Sequence, residues 1–349
     1  MTHFTMAANN AQTGGGEVML LAIGHALRDL GHTVSVVAPA AEDGVGAEAA
    51  RQGFPTTAIL ASGRREYMRG LRRWDASRRQ GVLWCNGHVP ALATAGHRDR
   101  VVHLHQAPSV AHVVAGRLAG YGALVTLVPS RSTQTRFPDA QILPNWTDDI
   151  RVEPHVLDPE HVVLGFLGRP SPDKGVVVLA RALAELDAAA PGRFRLLLAG
   201  EPRFVGDHEQ QVVEAALAPV SHLVDRVGWA RREDFFSAVD LAVLPSVWAE
   251  PFGLTAAEAM SAGVPFVVSD AGALPEVAGE RYPWTARSGS ASHLAQVVSA
   301  ALAAPEQTRR AVAAESRRRW EQHFSAQAGR RHLRFLLTDI LPVALKEQA

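Results

Sequence analysis

The amino-acid sequence predicts an α/β protein built from two doubly wound, parallel-sheet domains. Three observations carry that prediction: short apolar runs alternate with longer amphipathic segments, the pattern breaks once near the middle, and 349 residues with 47% hydrophobic content suffice for two cores. In chain order, residues 17–30 carry apolar side chains at three-to-four spacing and form a helix that ends at Leu30-Gly31-His32. Residues 34–38 follow as a buried strand, and 82–83, 101–104 and 124–128 repeat the same short apolar signature. The break lies around 148–161, where Asn145-Trp146-Thr147-Asp148-Asp149 and then Glu153-Pro154-His155 interrupt the apolar pattern. Beyond it, strands at 162–167, 194–199, 241–244 and 265–268 alternate with helices at 174–189, 209–217 and 294–302. Repeats of this kind produce parallel sheets covered by helices on both faces, one doubly wound domain in residues 1–155 and a second from 156.

Doubly wound domains bind ligands at the carboxyl ends of their strands, and where two of them face each other the shared cleft is the default site. The richest segment is 245–260, in which Glu250 and Glu258 flank Pro251-Phe252-Gly253 at a helix start. Pro251 suits a first helical turn because its missing N–H has no partner there, and Gly253 admits a ligand close to the backbone. Amides near Gly253, Leu254 and Thr255 then point outward and suit a phosphate. Taken alone, the segment reads first as a capped core helix with two incidental acids, since acidic residues near helix starts are common. A second segment, Gly168-Arg169-Pro170-Ser171-Pro172-Asp173-Lys174-Gly175, directly follows a strand. Arg169 at the strand end and Lys174 opening the next helix bring two cations to one point, as a diphosphate requires; Lys174 alone could be a solvated side chain, and its combination with Arg169 favours anion binding. The third is Thr13-Gly14-Gly15-Gly16-Glu17, a glycine run ahead of a helix; a flexible loop fits it nearly as well as an anion site. Its spacing is not that of a dinucleotide fingerprint, residues 34–39 hold no acid, and no Gly-Lys-Ser or Gly-Lys-Thr occurs.

These residues, with Gly31-His32-Thr33-Val34, Ala262-Gly263-Val264-Pro265 and Leu274-Pro275-Glu276-Val277, closely resemble the GT-B retaining glycosyltransferases of family four in order, spacing and context. The likeness is nearly continuous over 162–277 and looser in the first half, where the glycine loop, the Gly31-His32 turn and His105 anchor it. It implies a GT-B fold, two Rossmann-like domains facing a central cleft. The first would serve the acceptor, 156–325 the nucleotide-sugar donor, and 326–349 would cross back as a helix to the first domain. The resemblance implies a UDP- or GDP-sugar donor and a sugar, lipid-linked or natural-product acceptor. Arg169 and Lys174 would hold the diphosphate, Glu258 the ribose, and Glu250 the transferred sugar. Gly15, Gly16, Phe252, Gly253, Leu254 and Thr255 would complete the cradle, Trp229 and Ala230 would neighbour the nucleobase, and His105 would close the sugar pocket. His105 also stands with His103 on one face near a strand end, ahead of Gln106, which independently favours it as a catalytic candidate. Asn86, His88, Asn9 and Asn10 are candidates for the acceptor side. Two departures stand out: Ala278-Gly279-Glu280-Arg281-Tyr282-Pro283-Trp284 replaces the family's Asp-Gly-x-x-Gly loop, and an expected Asp ahead of residue 82 is absent.

Transfer requires charge separation at the anomeric carbon, and the two cations with helix-end amides supply the counter-charge to a leaving diphosphate without a metal. No Asp-x-Asp occurs, so metal independence is expected and no cofactor is invoked. A glycoside hydrolase also uses two carboxylates but needs no phosphate cradle; a non-catalytic or epimerase-type nucleotide-sugar binder would share the cradle. Zero net charge argues against nucleic-acid wrapping. A lone cysteine, Cys85, excludes an internal disulfide, and the absence of a leader-like start or a membrane-length apolar run fits a cytoplasmic protein. Residues 64–79 place Tyr67, Leu71 and Trp74 on one helical stripe among seven arginines. That pattern suits either weak peripheral contact with a membrane surface or, preferred here, an ordinary helix with a basic solvent face and an apolar inner face; Gly70 weakens the helix itself.

Overall fold

The computed structural model describes residues 1–12, 14–105, 110–153, 157–202 and 205–346. Thr13 of the glycine run, Gln106 beside His105, and Pro154-His155 near the pattern break lie outside the described residues. The chain divides into two compact units, residues 1–146 with 326–349, and residues 147–325.

The first unit carries β1 (His3–Ala7), β2 (Thr33–Pro39), β3 (Thr56–Ile59), β4 (Val82–Asn86), β5 (Arg100–His103), β6 (Val125–Val128) and β7 (Gln141–Ile142). They form one sheet in the order β3-β2-β1-β4-β5-β6-β7, and every pairing is parallel. The order reverses between β1 and β4, the topological switch point at which doubly wound sheets bind ligands. The second unit carries β8 (Val162–Leu167), β9 (Phe194–Ala199), β10 (Val224–Gly228), β11 (Leu241–Leu244), β12 (Phe266–Ser269) and β13 (Thr285–Ala286). Its order is β10-β9-β8-β11-β12-β13, again wholly parallel, with the switch between β8 and β11. The central strands β4, β5, β11 and β12 are buried along their whole length, which is why apolar residues dominate them, with Asn86, Arg100, His103 and Ser269 as buried polar ends.

The strands at 162–167, 194–199 and 241–244 fall where periodicity placed them. β3 and β10 carried no such signal because they are sheet edges with largely exposed side chains; Val224-Asp225-Arg226-Val227-Gly228 shows neither an apolar run nor clean alternation. β1 is central, yet His3 and Thr5 interrupt its apolar character. Thr5 is buried, its hydroxyl 3.2 Å from that of Ser35 on the neighbouring strand.

The units divide between Trp146 and Thr147, upstream of the boundary at 155. The reason is local: Thr147 donates its amide to Phe324 (2.9 Å), and Trp320 donates its indole N–H to the Thr147 hydroxyl (2.8 Å). Ile150 is buried in the second core, and its amide donates to the Ser261 hydroxyl (2.9 Å). The helix Ala326–Lys346 belongs to the first unit. There Gly329 lies so close to the Trp146 ring that a Cβ would stand 2.2 Å from it, and Arg330 pairs with Asp29 at 2.9 Å.

The arginine-rich segment forms the helix Arg64–Arg78 in spite of Gly70. A Cβ on Gly70 would come within 2.6 Å of the Ile59 side chain, so the glycine lets this helix lie close on β3. Tyr67 and Leu71 are buried in the first core, and the Tyr67 hydroxyl donates to the Ala8 carbonyl (2.8 Å). The apolar stripe is consumed by packing against the sheet; the six arginines from Arg64 to Arg78 are exposed, whereas Arg79 is largely buried and pairs with Asp75. No helix among the described residues is long and apolar enough to cross a membrane. Cys85 is buried and free.

Candidate active site

Lys174, Glu250, Gly253 and Thr255 of the second unit's candidate residues meet at its switch point, whereas Trp229, Ala230 and Glu258 do not line the cavity there. Gly168 and Arg169 leave the carboxyl end of β8, and Pro245 and Ser246 leave that of β11; between them is a cavity of about 60 Å³ reached by Lys174, Glu250, Gly253 and Thr255. Three glycines allow the packing. Gly175, at φ +79°, lies against Pro245 so closely that a Cβ would stand 1.9 Å from its carbonyl oxygen. Gly272 similarly abuts the Glu250 backbone, and Gly253, at φ +96°, is the left-handed cap residue before the helix Leu254–Ala262.

Two details differ from the sequence expectation. Lys174 precedes its helix, Val176–Ala189, instead of opening it, since left-handed Gly175 occupies the cap. Pro251 likewise lies ahead of the helix, in a bend, because the chain must turn at Gly253 before helical geometry begins. Glu250 remains outside the helix and Glu258 within it. Phe252, expected at the donor, buries its ring edge-on against Phe324 (centroids 5.4 Å apart), so only its backbone is available there.

The charges at this site are paired. The Lys174 ammonium contacts both Glu250 carboxylate oxygens, at 2.9 Å to Oε2 and more closely to Oε1. Trp248 donates its indole N–H to Glu250 Oε2 at 2.6 Å, and Lys174 lies 5.6 Å from the Trp248 ring centroid. Arg169 donates to Asp173 Oδ2 at 2.7 Å, and the Ser171 hydroxyl also donates to Asp173. The Asp173 carbonyl in turn accepts the Val247 amide at 2.9 Å, tying the cation loop to the glutamate loop. Arg169 Nε is buried with no hydrogen-bond partner among the described residues, a donor aimed at nothing the protein supplies. Thr255 donates its hydroxyl to the Leu167 carbonyl (3.3 Å), fixing the helix start against the end of β8. Further along that helix, Glu258 accepts from Arg232 Nε at 2.9 Å. Trp229, at the end of β10, is 67% exposed, and Ala230 beside it is half-buried.

The first unit's candidates form a cluster of another kind. Gly15 and Gly16 open the helix Gly15–Asp29. Buried Glu17 accepts from the amides of Gly14 (3.2 Å) and Asn10 (3.3 Å), and burial pushes its carboxyl above the ordinary range. Asn86, at the end of β4, donates its amide to the Gly16 carbonyl (2.9 Å), and its Oδ1 lies 2.8 Å from His105 Nε2. With the amide nitrogen committed to a carbonyl, the oxygen must accept, so His105 carries its hydrogen on Nε2. His105 follows β5, half-buried, its ring 3.9 Å from that of fully buried His103. Burial lowers the His105 pKa to about 4 and, with the neighbouring ring, holds His103 well below its usual value, so both are neutral near pH 7. Asn9, a candidate for the acceptor side, instead accepts the Val89 amide (3.0 Å) and packs against Gly87. His88 is buried, with its ring 5.2 Å from that of His112.

Trp248 and Arg232 were missed from sequence. Trp248 lies inside the glutamate segment, two residues before its acceptor, and its indole N–H was a signal available to find. Arg232 is on another helix, Arg232–Ser237, and no spacing rule connects it to Glu258. Among the described residues, no group of three or more His, Cys, Asp or Glu is placed to hold a metal ion.

Residues 161–304 match the family described as glycosyl transferases group 1. The second unit carries a group 1 glycosyl transferase domain. This transferase domain includes Arg169, Lys174, Glu250 and Glu258, all within the matched span. The chain is 38% identical over 123 residues to the D-inositol 3-phosphate glycosyltransferase of Rhodococcus erythropolis, covering 33% of this chain and 27% of that one. It is 30% identical over 238 residues to the enzyme of that name from Stackebrandtia nassauensis, covering 59% and 52%. The chain thus spans about half or less of the length of these curated relatives. In structure it is similar to Anabaena Alr3699/HepE, solved with UDP and glucose (TM-score 0.81, 20% identity, 97% of this chain and 100% of that one). Sucrose-phosphate synthase from Thermosynechococcus elongatus gives the same TM-score, 0.81, at 17% identity over 98% and 100%. The fold of the transferase domain and its partner unit is GT-B.

Proposed function

We propose that this chain is a retaining, metal-independent glycosyltransferase that moves a sugar from a nucleotide-diphospho-sugar to an acceptor hydroxyl. The observation that carries the reading is the Lys174–Glu250 pair beside the switch-point cavity, with the start of the helix Leu254–Ala262 opening onto it. A diphosphate entering there competes for the Lys174 ammonium, and the freed Glu250 carboxylate turns to the sugar. Lys174, Arg169 and the first amides of the helix stabilise the leaving group as its charge grows, while Glu250 orients the donor sugar and offsets positive charge at the anomeric carbon. Retention follows from attack by the acceptor hydroxyl on the face the diphosphate leaves, with a donor phosphate oxygen taking the proton. Glu258 holds the ribose and Trp229-Ala230 border the base. His105, a neutral Nε2–H imidazole, acts as a positioning group for the sugar, not as a base.

The names of the relatives favour a UDP-sugar and a phosphorylated polyol as the first donor and acceptor to try, with GDP-sugars in parallel. The experiment is incubation of the full chain with UDP- and GDP-hexoses, inositol 3-phosphate and a panel of sugar and lipid-linked acceptors, with and without EDTA. Nucleoside diphosphate should form in step with a glycosylated product of unchanged anomeric configuration, regardless of EDTA. Free sugar alone would mean a hydrolase, and nucleotide-sugar binding without turnover would mean a binding protein. Inversion or loss of activity with EDTA would overturn the mechanism while leaving the transferase reading.

A further inference from the structure

The role given to Arg232 rests on the proposed reading of Glu258 as the ribose-holding residue. Glu258 sits on the helix Leu254–Ala262 with its side chain only 12% exposed, and a carboxylate so placed needs a hydrogen-bonded partner to offset its desolvation. That partner is Arg232, at the start of the helix Arg232–Ser237. Its Nε donates to Oε1 at 2.9 Å, and its Nη1 lies 3.5 Å from the Ala230 carbonyl, a marginal contact. An arginine can fork onto both oxygens of a carboxylate. Here the fork is not used: Oε2 is buried and has no hydrogen-bond partner among the described residues. A desolvated acceptor without a donor costs free energy unless a ligand donor fills it.

We infer that Arg232 is a positioning residue for nucleotide recognition: it engages one oxygen of Glu258, fixes the rotamer that presents the other to a single ribose hydroxyl, and offsets the carboxylate charge beside an anionic ligand. The offset matters because an unpaired carboxylate repels a diphosphate, whereas a paired one presents an acceptor with little net field. Arg232 is itself 41% exposed, which limits what the pair adds to folding, but its removal leaves the Glu258 carboxylate without its partner, so the comparison includes the Glu258→Gln background, where that charge is absent.

The test is calorimetric titration of the full chain with UDP and, separately, GDP, comparing wild type with Glu258→Gln, Arg232→Met, Arg232→Lys and the Arg232→Met/Glu258→Gln double variant. Glu258→Gln should weaken the preferred nucleotide about tenfold, and Arg232→Met should weaken the same nucleotide by a comparable factor. Arg232→Lys should recover part of that loss, and the double variant should bind no more weakly than Glu258→Gln alone. In a transfer assay Arg232→Met should raise KM and leave kcat unchanged, a split that general loosening of the domain would not give. Wild-type affinity in Arg232→Met, or losses that multiply in the double variant, would overturn the inference while Glu258 keeps its role. A wild type that binds neither nucleotide, or a Glu258→Gln variant that binds as well as wild type, removes the ribose reading and this inference with it.

Discussion

The two candidate regions solve the placement of polar groups near the carboxyl ends of a parallel sheet in opposite ways. In the second unit the groups are ionic and come as pairs: Lys174 with Glu250, Arg169 with Asp173, Arg232 with Glu258. In the first unit the cluster of Gly16, Asn86 and His105 is uncharged, and the nearby histidine and glutamate are held toward their neutral forms by burial. Paired charges can exchange partners when an anion arrives, since the Coulomb term lost on one side is recovered on the other. Neutral groups with fixed hydrogen bonds cannot make that exchange, but they hold a hydroxyl in one orientation. Under the proposed function, charge handling would fall to the second unit and orientation to the first.

Glu250→Gln gives the largest expected effect if that assignment holds. The amide keeps the shape but loses the charge, and kcat should fall by roughly 10²–10³ while nucleotide affinity stays close to wild type. Steady-state kinetics alongside calorimetry with the nucleotide decides it; a change confined to affinity would remove Glu250 from the chemistry. Lys174→Met comes next. It removes a donor to the proposed diphosphate and should weaken nucleotide-sugar binding about 10–100-fold. It also strands the Glu250 carboxylate, so Tm should drop, and adding Glu250→Gln to it should restore part of the lost Tm. No recovery in the double variant would mean that the pair is not coupled in solution. A smaller effect is expected at His105, where His105→Ala should lower kcat about tenfold at saturating donor, with Asn86→Ala reproducing most of the loss through the same hydrogen bond. Unchanged transfer in both would leave the first-unit cluster a structural one.

How far these regions were legible in the sequence follows from the same contrast. The strands β8, β9 and β11 and the positions of Glu250 and Glu258 on either side of a helix start were readable because burial on both faces and left-handed glycines leave local marks. The edge strands β3 and β10 leave none, having solvent on one side. Gly70 reads in sequence as a weak point in the helix, yet its meaning is a close approach to Ile59 on another element, which no local pattern encodes. The same holds for Arg232 and Glu258, 26 residues apart, and for Asn86 and Gly16, 70 apart. Residue types suggested an anion site, while the pairing of those residues is a property of the folded sheets. Phe252 shows the converse: its place in a ligand-binding motif suggested contact, and its ring is instead part of the core.

The smallest expected effect concerns pH and bears on the neutral cluster alone. His105 has a folded pKa of about 4 against a usual value of 6.5, and His103 is held well below the same value, in both cases first through burial. Between those limits the unfolded chain binds protons that the folded chain refuses, so stability rises with pH across that window. The contribution is complete above about 6.5 and is lost as pH falls toward 4, with a slope of at most about 1.4 kcal/mol per pH unit for each histidine. Glu17 acts in the other sense: its raised folded pKa gives a contribution that is complete below its ordinary value and is lost as pH rises through the folded one. Thermal unfolding at pH 7, 6 and 5 should therefore show Tm declining toward acid, and His103→Leu should flatten the decline without altering the Lys174–Glu250 site. An equally steep decline in His103→Leu and His105→Gln would mean that both imidazoles are hydrated in the folded chain, and the contrast between a charged region and a neutral one would lose its physical basis.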